Sequence, residues 1–281
     1  MDLKTMQNAT IFYLKNVTSD IESFNIQFFG GEPLLNFEVI PRYVDWLKNN
    51  SFKINLSIFT NGILLNKSKI DYFLSNKITI NISYDPNFEV FNSYKNLSFE
   101  KFVHINNMIN YTLKHNPDSI VPYLIIKKEF IDKIKNSLLL LVKNGLKRIS
   151  VARLAYENWD NDDIKKLLTI LQSVKEISNS KIYVYPDMYF SCTDCYPYNI
   201  MTYPNGDIYD ICYMCGSVLT QMNYIVKDEL KAFYFGNLNT TNELLFDVTK
   251  KREIIKKDYL GINSFCPTLS PNLDDIRFLI E

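Results

Sequence analysis

The chain has 281 residues, 47% of them hydrophobic and 14% aromatic, which is enough apolar material for one large α/β domain or an average domain with a smaller one. Lysine plus arginine and aspartate plus glutamate number 31 each, so the formal net charge is zero. That balance, without any block of basic residues, argues against a dedicated surface for nucleic acid or anionic membranes.

Helical and strand patterns alternate along the first two thirds of the chain. Strands are predicted at residues 24–29, 53–62, 77–85, 119–127, 148–154 and 181–186. Helices are predicted near residues 3–14, 37–48, 68–75, 102–114, 131–143 and 162–177. This alternation predicts right-handed crossovers and a parallel sheet with helices outside, as an open sheet or a barrel.

None of these elements has the length and apolarity of a membrane span. The longest apolar run, residues 137–142, is far short of the roughly 20 residues that a spanning helix needs. Polar residues such as Asp2 and Lys4 interrupt the N-terminal segment, so it does not have the pattern of a signal peptide. We therefore expect a soluble, cytoplasmic protein.

Glycines and polar residues follow several predicted strands where those strands end. They are Gly30, Gly31, Glu32, Pro33, Thr60, Asn61, Gly62, Ser83, Asp85 and Arg153. Because the carboxyl ends of parallel strands meet at one edge of the sheet, we expect these residues to line a ligand site. Glycine, asparagine and aspartate are also the usual turn residues, so ordinary turns are the alternative interpretation of each residue taken singly.

The pattern changes after Pro186 and predicts a second, smaller domain. Residues 199–212 have alternating arms around Pro204, Asn205, Gly206 and Asp207, which predicts a hairpin. A helix is predicted near residues 242–251. We expect one domain over residues 1–187 and a second over residues 188–281.

All five cysteines lie in the last third of the chain, at Cys192, Cys195, Cys212, Cys215 and Cys266. The first four form two pairs with two residues between the members of each pair. In a reducing compartment such clusters hold a metal more often than they form disulfides. Reduced structural cysteines without a metal are the alternative.

The predicted hairpin brings the two cysteine pairs together. If Tyr203 pairs with Ile208, Cys195 lies opposite Gly216 and Cys215 lies opposite Tyr196, so both pairs converge at the open end. Four thiolates there suit either tetrahedral zinc or an iron–sulfur cluster. Cys266 is a fifth ligand or a buried thiol.

Taken together, the strand ends and the cysteine hairpin resemble one family. Residues 28–37, FFGGEPLLNF, resemble the glycine-glycine-glutamate-proline motif of radical S-adenosylmethionine (radical SAM) enzymes that carry a C-terminal SPASM or twitch domain. Residues 59–65, FTNGILL, and residues 82–86, ISYDP, resemble two later segments of that branch, although Pro86 stands where glycine is usual.

The second domain is similar to the SPASM part of the same family. Cys195, Gly206 and Cys212 resemble the start of its signature, with one residue more than usual before Cys212. Residues 235–238, FGNL, match a short segment that commonly follows it. The resemblance covers essentially the whole chain and implies a partial (β/α)6 TIM-like barrel, with its first strand missing, plus a small cysteine-rich hairpin domain.

The resemblance also implies roles for the strand-end residues. The main chain at Gly30 and Gly31, with the Glu32 carboxylate, would bind the amino group of S-adenosylmethionine, and Pro33 would stiffen the turn. Ser83 and Asp85 would meet the ribose hydroxyls. Thr60 and Asn61 would complete the cofactor-binding edge. Arg153 would be available for the carboxylate of the ligand, with a solvated strand-end arginine as the alternative.

The implied partner is a peptide or protein whose side chain is modified, with an auxiliary iron–sulfur cluster at the C-terminal cysteines. Aromatic residues near the cysteines would line a peptide groove, or would simply pack the hairpin. No catalytic acid, base or hydrogen-atom donor is identifiable from the sequence.

One departure from the family concerns the catalytic cluster. Relatives hold it with a CxxxCxxC motif upstream of the glycine-glycine-glutamate-proline strand, whereas the first 191 residues here contain no cysteine. We therefore expect no radical chemistry at that site from the chain as printed. A missing first strand would also leave residues 24–29 as a sheet edge that needs covering.

Three explanations are open. The chain is a fragment or a mis-started reading of a normal enzyme. Alternatively, it is a degenerate relative that binds a peptide or regulates an active radical SAM partner. In the third case it is a zinc-stabilised binding protein.

Overall fold

A computed structural model describes residues 1–16, 24–153, 160–177, 181–184, 200–210 and 234–239. The chain divides into two compact units. The helices are α1 (Leu3–Asn16), α2 (Val39–Asn49), α3 (Lys67–Ser75), α4 (Phe88–Lys95), α5 (Phe99–His115), α6 (Ile131–Lys143) and α7 (Asn161–Ile177). Short 3-10 turns occur at Pro33–Asn36, Pro117–Ser119 and Lys128–Phe130.

One unit contains a six-stranded sheet and helices α3 to α7. Its strands are β1 (Phe24–Phe28), β2 (Ile54–Thr60), β3 (Thr79–Ser83), β4 (Ile120–Ile126), β5 (Arg148–Arg153) and β6 (Lys181–Val184). They lie side by side in chain order, and every neighbouring pair is parallel. The predicted α/β fold with parallel strands is therefore confirmed.

Isoleucines from neighbouring strands form part of the core of this unit. Ile58 of β2 is in register with Ile80 of β3, which is in register with Ile120 of β4, and all three side chains are fully buried. Branched side chains pack well on a pleated sheet and are stiff, which favours strands at these positions. Because all strands run parallel, their carboxyl ends lie at one edge.

Helix α4 is absent from the sequence prediction, which passes directly from the third strand to a helix at residue 102. Asn87 begins α4, since its side chain accepts hydrogen bonds from the backbone N–H groups of Glu89 and Val90. The buried side chains of Val90 and Phe91 anchor the helix. Only eight residues long, α4 is too short for a clear helical period.

The second unit contains α1, α2 and a small antiparallel sheet. Thr10 of α1 and Tyr43 of α2 share a buried hydrogen bond between their hydroxyl groups. The sheet consists of β7 (Ile200–Thr202), β8 (Asp207–Asp210) and β9 (Tyr234–Asn237) in that order. Strand β9 contains most of the FGNL segment.

The predicted hairpin register is wrong by one position. Thr202, and not Tyr203, pairs with Ile208. The cause is the loop geometry: Gly206 adopts φ 88° and donates its N–H to the Tyr203 carbonyl at 2.9 Å, while the Tyr203 N–H donates to Asp207. A three-residue loop with a left-handed glycine replaces the four-residue turn and shifts every pair.

The five cysteines, the boundary between residues 187 and 188, and the helix predicted near residues 242–251 lie outside the described residues. The domain boundary and the metal site therefore stay predictions. Among the helices that the structure describes, none is long and apolar enough to cross a membrane.

Candidate functional site

The carboxylate of Glu32 joins the loop after β1 to the end of β2. Its Oε1 atom accepts hydrogen bonds from the Thr60 hydroxyl at 2.7 Å and from the Leu34 N–H at 3.1 Å. Its Oε2 atom accepts one from the Asn61 N–H at 2.8 Å. The structure thus brings together Glu32, Thr60 and Asn61, three residues that the sequence singled out at separate strand ends.

The main chain at Gly30 and Gly31 is exposed beside this carboxylate. Gly30 has φ 144°, a conformation that side chains disfavour. The φ angle of Gly31 lies outside the left-handed region, and a Cβ atom added there would meet no described atom within 4 Å. Contacts among the described residues therefore do not explain the glycine at position 31, whereas close approach of a ligand to the main chain would explain it.

Gly62, after β2, has a different and purely internal role. It adopts φ 80°, and an added Cβ would lie 2.8 Å from Cδ1 of Ile82 and 3.2 Å from Cγ2 of Ile105. The tight packing between β3 and α5 therefore requires glycine here. This residue serves as an internal comparison for Gly31.

Ser83 ends β3 and is 3% exposed. Its hydroxyl has no hydrogen bond to any residue in the described part of the chain. In register, Ser83 lies opposite Tyr123 of β4, whose ring packs edge-on against Phe59 with 5.2 Å between centroids. Phe59 in turn packs against the partly exposed Phe29. A free serine hydroxyl beside an aromatic row can donate to and accept from a polar ligand group.

Asp85, two residues beyond β3, is completely buried. Its Oδ1 atom accepts hydrogen bonds from the Ser137 hydroxyl at 2.8 Å and from the Asn87 N–H at 2.7 Å. Its Oδ2 atom is buried and has no partner among the described residues. Burial raises the pKa of Asp85 to about 6, with the two hydrogen bonds opposing the rise. Asp85 is thus separated from the solvent-accessible edge.

The raised pKa of Asp85 predicts an unusual pH dependence of stability. The folded chain holds the proton more tightly than the unfolded chain, so the free energy of unfolding should fall by about 2 kcal/mol as pH rises from 4 to 7. Asp85→Asn should remove this contribution, which urea unfolding of both proteins across that pH range measures. The exposed Asp132→Asn is the control. Parallel curves for wild type and Asp85→Asn would contradict the prediction.

Lys95, in the last turn of α4, is a residue that sequence reasoning missed. It is half-buried, and burial lowers the pKa of its ammonium group, opposed by the charge of nearby Glu32. Its Nζ atom lies 5.8 Å from the centroid of the Tyr94 ring, and it forms no ion pair within the described residues. Little in the sequence indicated that Lys95 belongs to the candidate site, because it lies on a helix that the sequence pattern did not predict.

The structure describes only some of the remaining predicted site residues. Arg153 ends β5, but its side chain lies outside the described residues, as do all five cysteines. Pro33 begins the 3-10 turn, in which the Leu35 N–H donates to the Glu32 carbonyl at 3.2 Å. Within the described ranges, no three His, Cys, Asp or Glu side chains gather as metal ligands.

Comparison with known proteins identifies similar chains. No protein-family model matches the chain. An uncharacterized protein of Methanocaldococcus jannaschii, MJ0907, is 27% identical over 271 residues, which cover 92% of this chain and 87% of that protein. The radical SAM cyclopropyl synthase TigE of Paramaledivibacter caminithermalis is 38% identical over 92 residues, or 30% of this chain and 19% of TigE.

Solved structures share the fold at low sequence identity. AnSMEcpe with bound AdoMet superimposes with a TM-score of 0.62 at 17% identity, covering 90% of this chain and 72% of that one. Streptococcus suis SuiB bound to S-adenosylmethionine gives a TM-score of 0.58 at 18% identity, covering 89% of this chain and 60% of SuiB. The chain therefore has the fold of these two S-adenosylmethionine-binding proteins.

Proposed function

We propose that the parallel-sheet unit binds S-adenosylmethionine at the carboxyl ends of β1, β2 and β3. The observation that carries this proposal is the exposed main chain at Gly31, a glycine that no contact in the described part of the chain requires. The neighbouring carboxylate, serine hydroxyl and half-buried ammonium add groups that match a zwitterionic amino acid joined to a ribose. The fold shared with anSMEcpe and SuiB supports the same ligand.

The charged ends of the ligand can be assigned to particular groups. Main-chain carbonyls at Gly30 and Gly31 and the Glu32 carboxylate would accept from the ligand ammonium, as charge-assisted hydrogen bonds do. Lys95 would donate to the ligand carboxylate, and Arg153 is the alternative donor. Ser83 would bond a ribose hydroxyl. Bound S-adenosylmethionine supplies an activated sulfonium group.

The residues present do not fit a catalytic iron–sulfur cluster beside Glu32. The first 191 residues contain no cysteine, so the strands and the loops that follow them supply no thiolate ligand. We therefore assign no radical step to this chain. Its own residues bind and orient S-adenosylmethionine at the sheet edge.

We further propose that the protein takes part in modifying a peptide or protein side chain. The solved neighbours include anSMEcpe with the Kp18Cys peptide and SuiB with its precursor peptide SuiA. The predicted C-terminal domain, residues 188–281, would hold a metal at Cys192, Cys195, Cys212 and Cys215. The described part of the hairpin pairs Ile200 with Asp210 and Thr202 with Ile208, so the paired numbers sum to 410. If that register continued, Cys195 would lie opposite Cys215.

Binding of S-adenosylmethionine to the purified chain, measured by isothermal titration calorimetry, tests the first proposal. Glu32→Gln should weaken binding by about 10- to 100-fold, since a hydrogen bond to a charged group contributes about 1.5–3 kcal/mol. Glu38→Gln is the matched control, because Glu38 is exposed and makes no capping hydrogen bond. A wild-type chain that binds no S-adenosylmethionine would overturn the proposal.

A further inference from the structure

We propose that Phe29 discriminates S-adenosylmethionine from ligands without its positive charge, because the face of its ring contacts the sulfonium group. This inference rests on the proposed S-adenosylmethionine site and names the residue that recognises the reactive part of the ligand. Phe29 directly precedes Gly30 in the loop after β1. The attraction is that of a cation for the electron-rich face of an aromatic ring.

Phe29 is exposed although its neighbour Phe28 is buried. Phe28 is 7% exposed and lies in register with the fully buried Ile58 of β2. Phe29 is 44% exposed and packs against Phe59, whose side chain points to the opposite face of the sheet from that of Ile58. Phe28 therefore supplies the apolar anchor at the end of β1, and packing of the core does not account for a phenylalanine at position 29.

A row of aromatic rings holds Phe29 in place. Its ring packs edge-on against Phe59 with 5.4 Å between centroids, and Phe59 packs against Tyr123 at 5.2 Å. Neighbouring strands lie about 4.8 Å apart, so β2 and β4 are about 10 Å apart and these last two rings lean toward each other over β3. At those positions β3 contributes the shorter side chains of Asn81 and Ser83. The row is therefore continuous from β4 to the loop after β1.

One face of the Phe29 ring is available to a ligand. An edge-on contact occupies at most one face of a ring, and Phe59 supplies the ring contact of Phe29 within the described residues. Strand β1 is the edge of the parallel sheet as described, so no further described strand of that sheet lies beside Phe29. A ring that is held in advance also loses little freedom when a ligand binds.

Positions along the chain place this ring within reach of the ligand. Phe29 and Gly31 are two residues apart, so their Cα atoms lie within about 7 Å of each other. Phe59 in turn directly precedes Thr60, whose hydroxyl donates to Glu32 at 2.7 Å. A ligand ammonium bound at Gly31 and Glu32 is joined to the sulfonium by the short methionine side chain. The sulfonium can then approach the ring to within the roughly 6 Å over which a cation and an aromatic face attract each other.

The charge of Glu32 also favours a positively charged ligand, so the test must separate the two contributions. Phe29→Leu does so, because it keeps the carboxylate and an apolar side chain and removes the aromatic face. S-adenosylhomocysteine is the matching ligand. It lacks the methyl group and the positive charge of S-adenosylmethionine but keeps its ammonium, carboxylate, ribose and adenine groups.

The test compares the binding of these two ligands to the full chain by calorimetry. Phe29→Leu should weaken S-adenosylmethionine by about 3- to 10-fold and leave S-adenosylhomocysteine within about twofold. Phe29→Tyr should bind both ligands as the wild type does, because tyrosine offers the same kind of aromatic face. Retained binding of S-adenosylhomocysteine shows at the same time that each variant is folded.

Phe99→Leu is the matched control. Phe99 is 61% exposed and begins α5, a helix that contributes no residue to the proposed site. We expect this variant to bind both ligands with the affinities of the wild type.

Equal weakening of both ligands in Phe29→Leu would overturn the inference, because it indicates contact with a part that the two ligands share. So would unchanged binding of S-adenosylmethionine. A wild-type chain that binds both ligands equally well would contradict the role of Phe29 and leave the proposed site standing. If the wild type binds neither ligand, the proposed function fails, and the inference fails with it.

Discussion

Gly31→Val is expected to abolish S-adenosylmethionine binding without lowering the temperature of thermal unfolding. A Cβ atom at this position would meet no described atom within 4 Å, and the backbone lies outside the left-handed region, so we expect the fold to accept the side chain. The same side chain would occupy the space in which the ligand amino group approaches the main chain. Binding is measured by calorimetry and unfolding by circular dichroism on the same preparation.

Gly62→Ala is the matched comparison and should behave in the opposite way. Its Cβ would lie 2.8 Å from Ile82, and its φ of 80° is strained for alanine. We expect a loss of about 1–3 kcal/mol in the free energy of unfolding. Retained binding in a folded Gly31→Val protein would remove the main support for the proposed site.

Replacement of Cys212 and Cys215 by serine is expected to remove the metal that we propose for the C-terminal domain, residues 188–281. Iron–sulfur clusters and all-cysteine zinc sites use four thiolate ligands, and the variant would keep only Cys192 and Cys195 of the proposed four. The measurement is iron, sulfide and zinc per chain after anaerobic reconstitution. We expect iron and sulfide in the wild type and neither in the double variant.

Cys266→Ser serves as the comparison within the same experiment. Unchanged iron content in this variant would identify Cys266 as a thiol outside the cluster, and a reduced content would identify it as a ligand. Zinc alone in the wild type would favour the zinc-stabilised alternative. A double variant that retains its full metal content would contradict the proposed site.

The parallel sheet was predictable because its signals are local and repeated. Isoleucine-rich segments such as that around Ile80 have the composition of strands, and glycine or polar residues mark their ends. The gathering of Glu32, Thr60 and Asn61 at one edge follows from topology alone. The order of the elements and the direction of the strands are enough to predict which residues gather there.

The features that escaped prediction depend on geometry that a sequence pattern does not carry. The hairpin register depends on the length of the loop, which Gly206, in a left-handed conformation, closes after three residues and not four. Burial of Asp85 depends on Ser137, 52 residues away. The position of Lys95 depends on α4, which is too short for a periodic signal.

The exposed Gly31 also has a consequence for directed evolution. A glycine outside the left-handed region leaves the unfolded chain more freedom than alanine would, which costs about 0.4–1 kcal/mol of stability. Selection for thermostability alone should therefore replace Gly31 early and so disable the proposed site. A screen that retains S-adenosylmethionine as a ligand would keep the glycine.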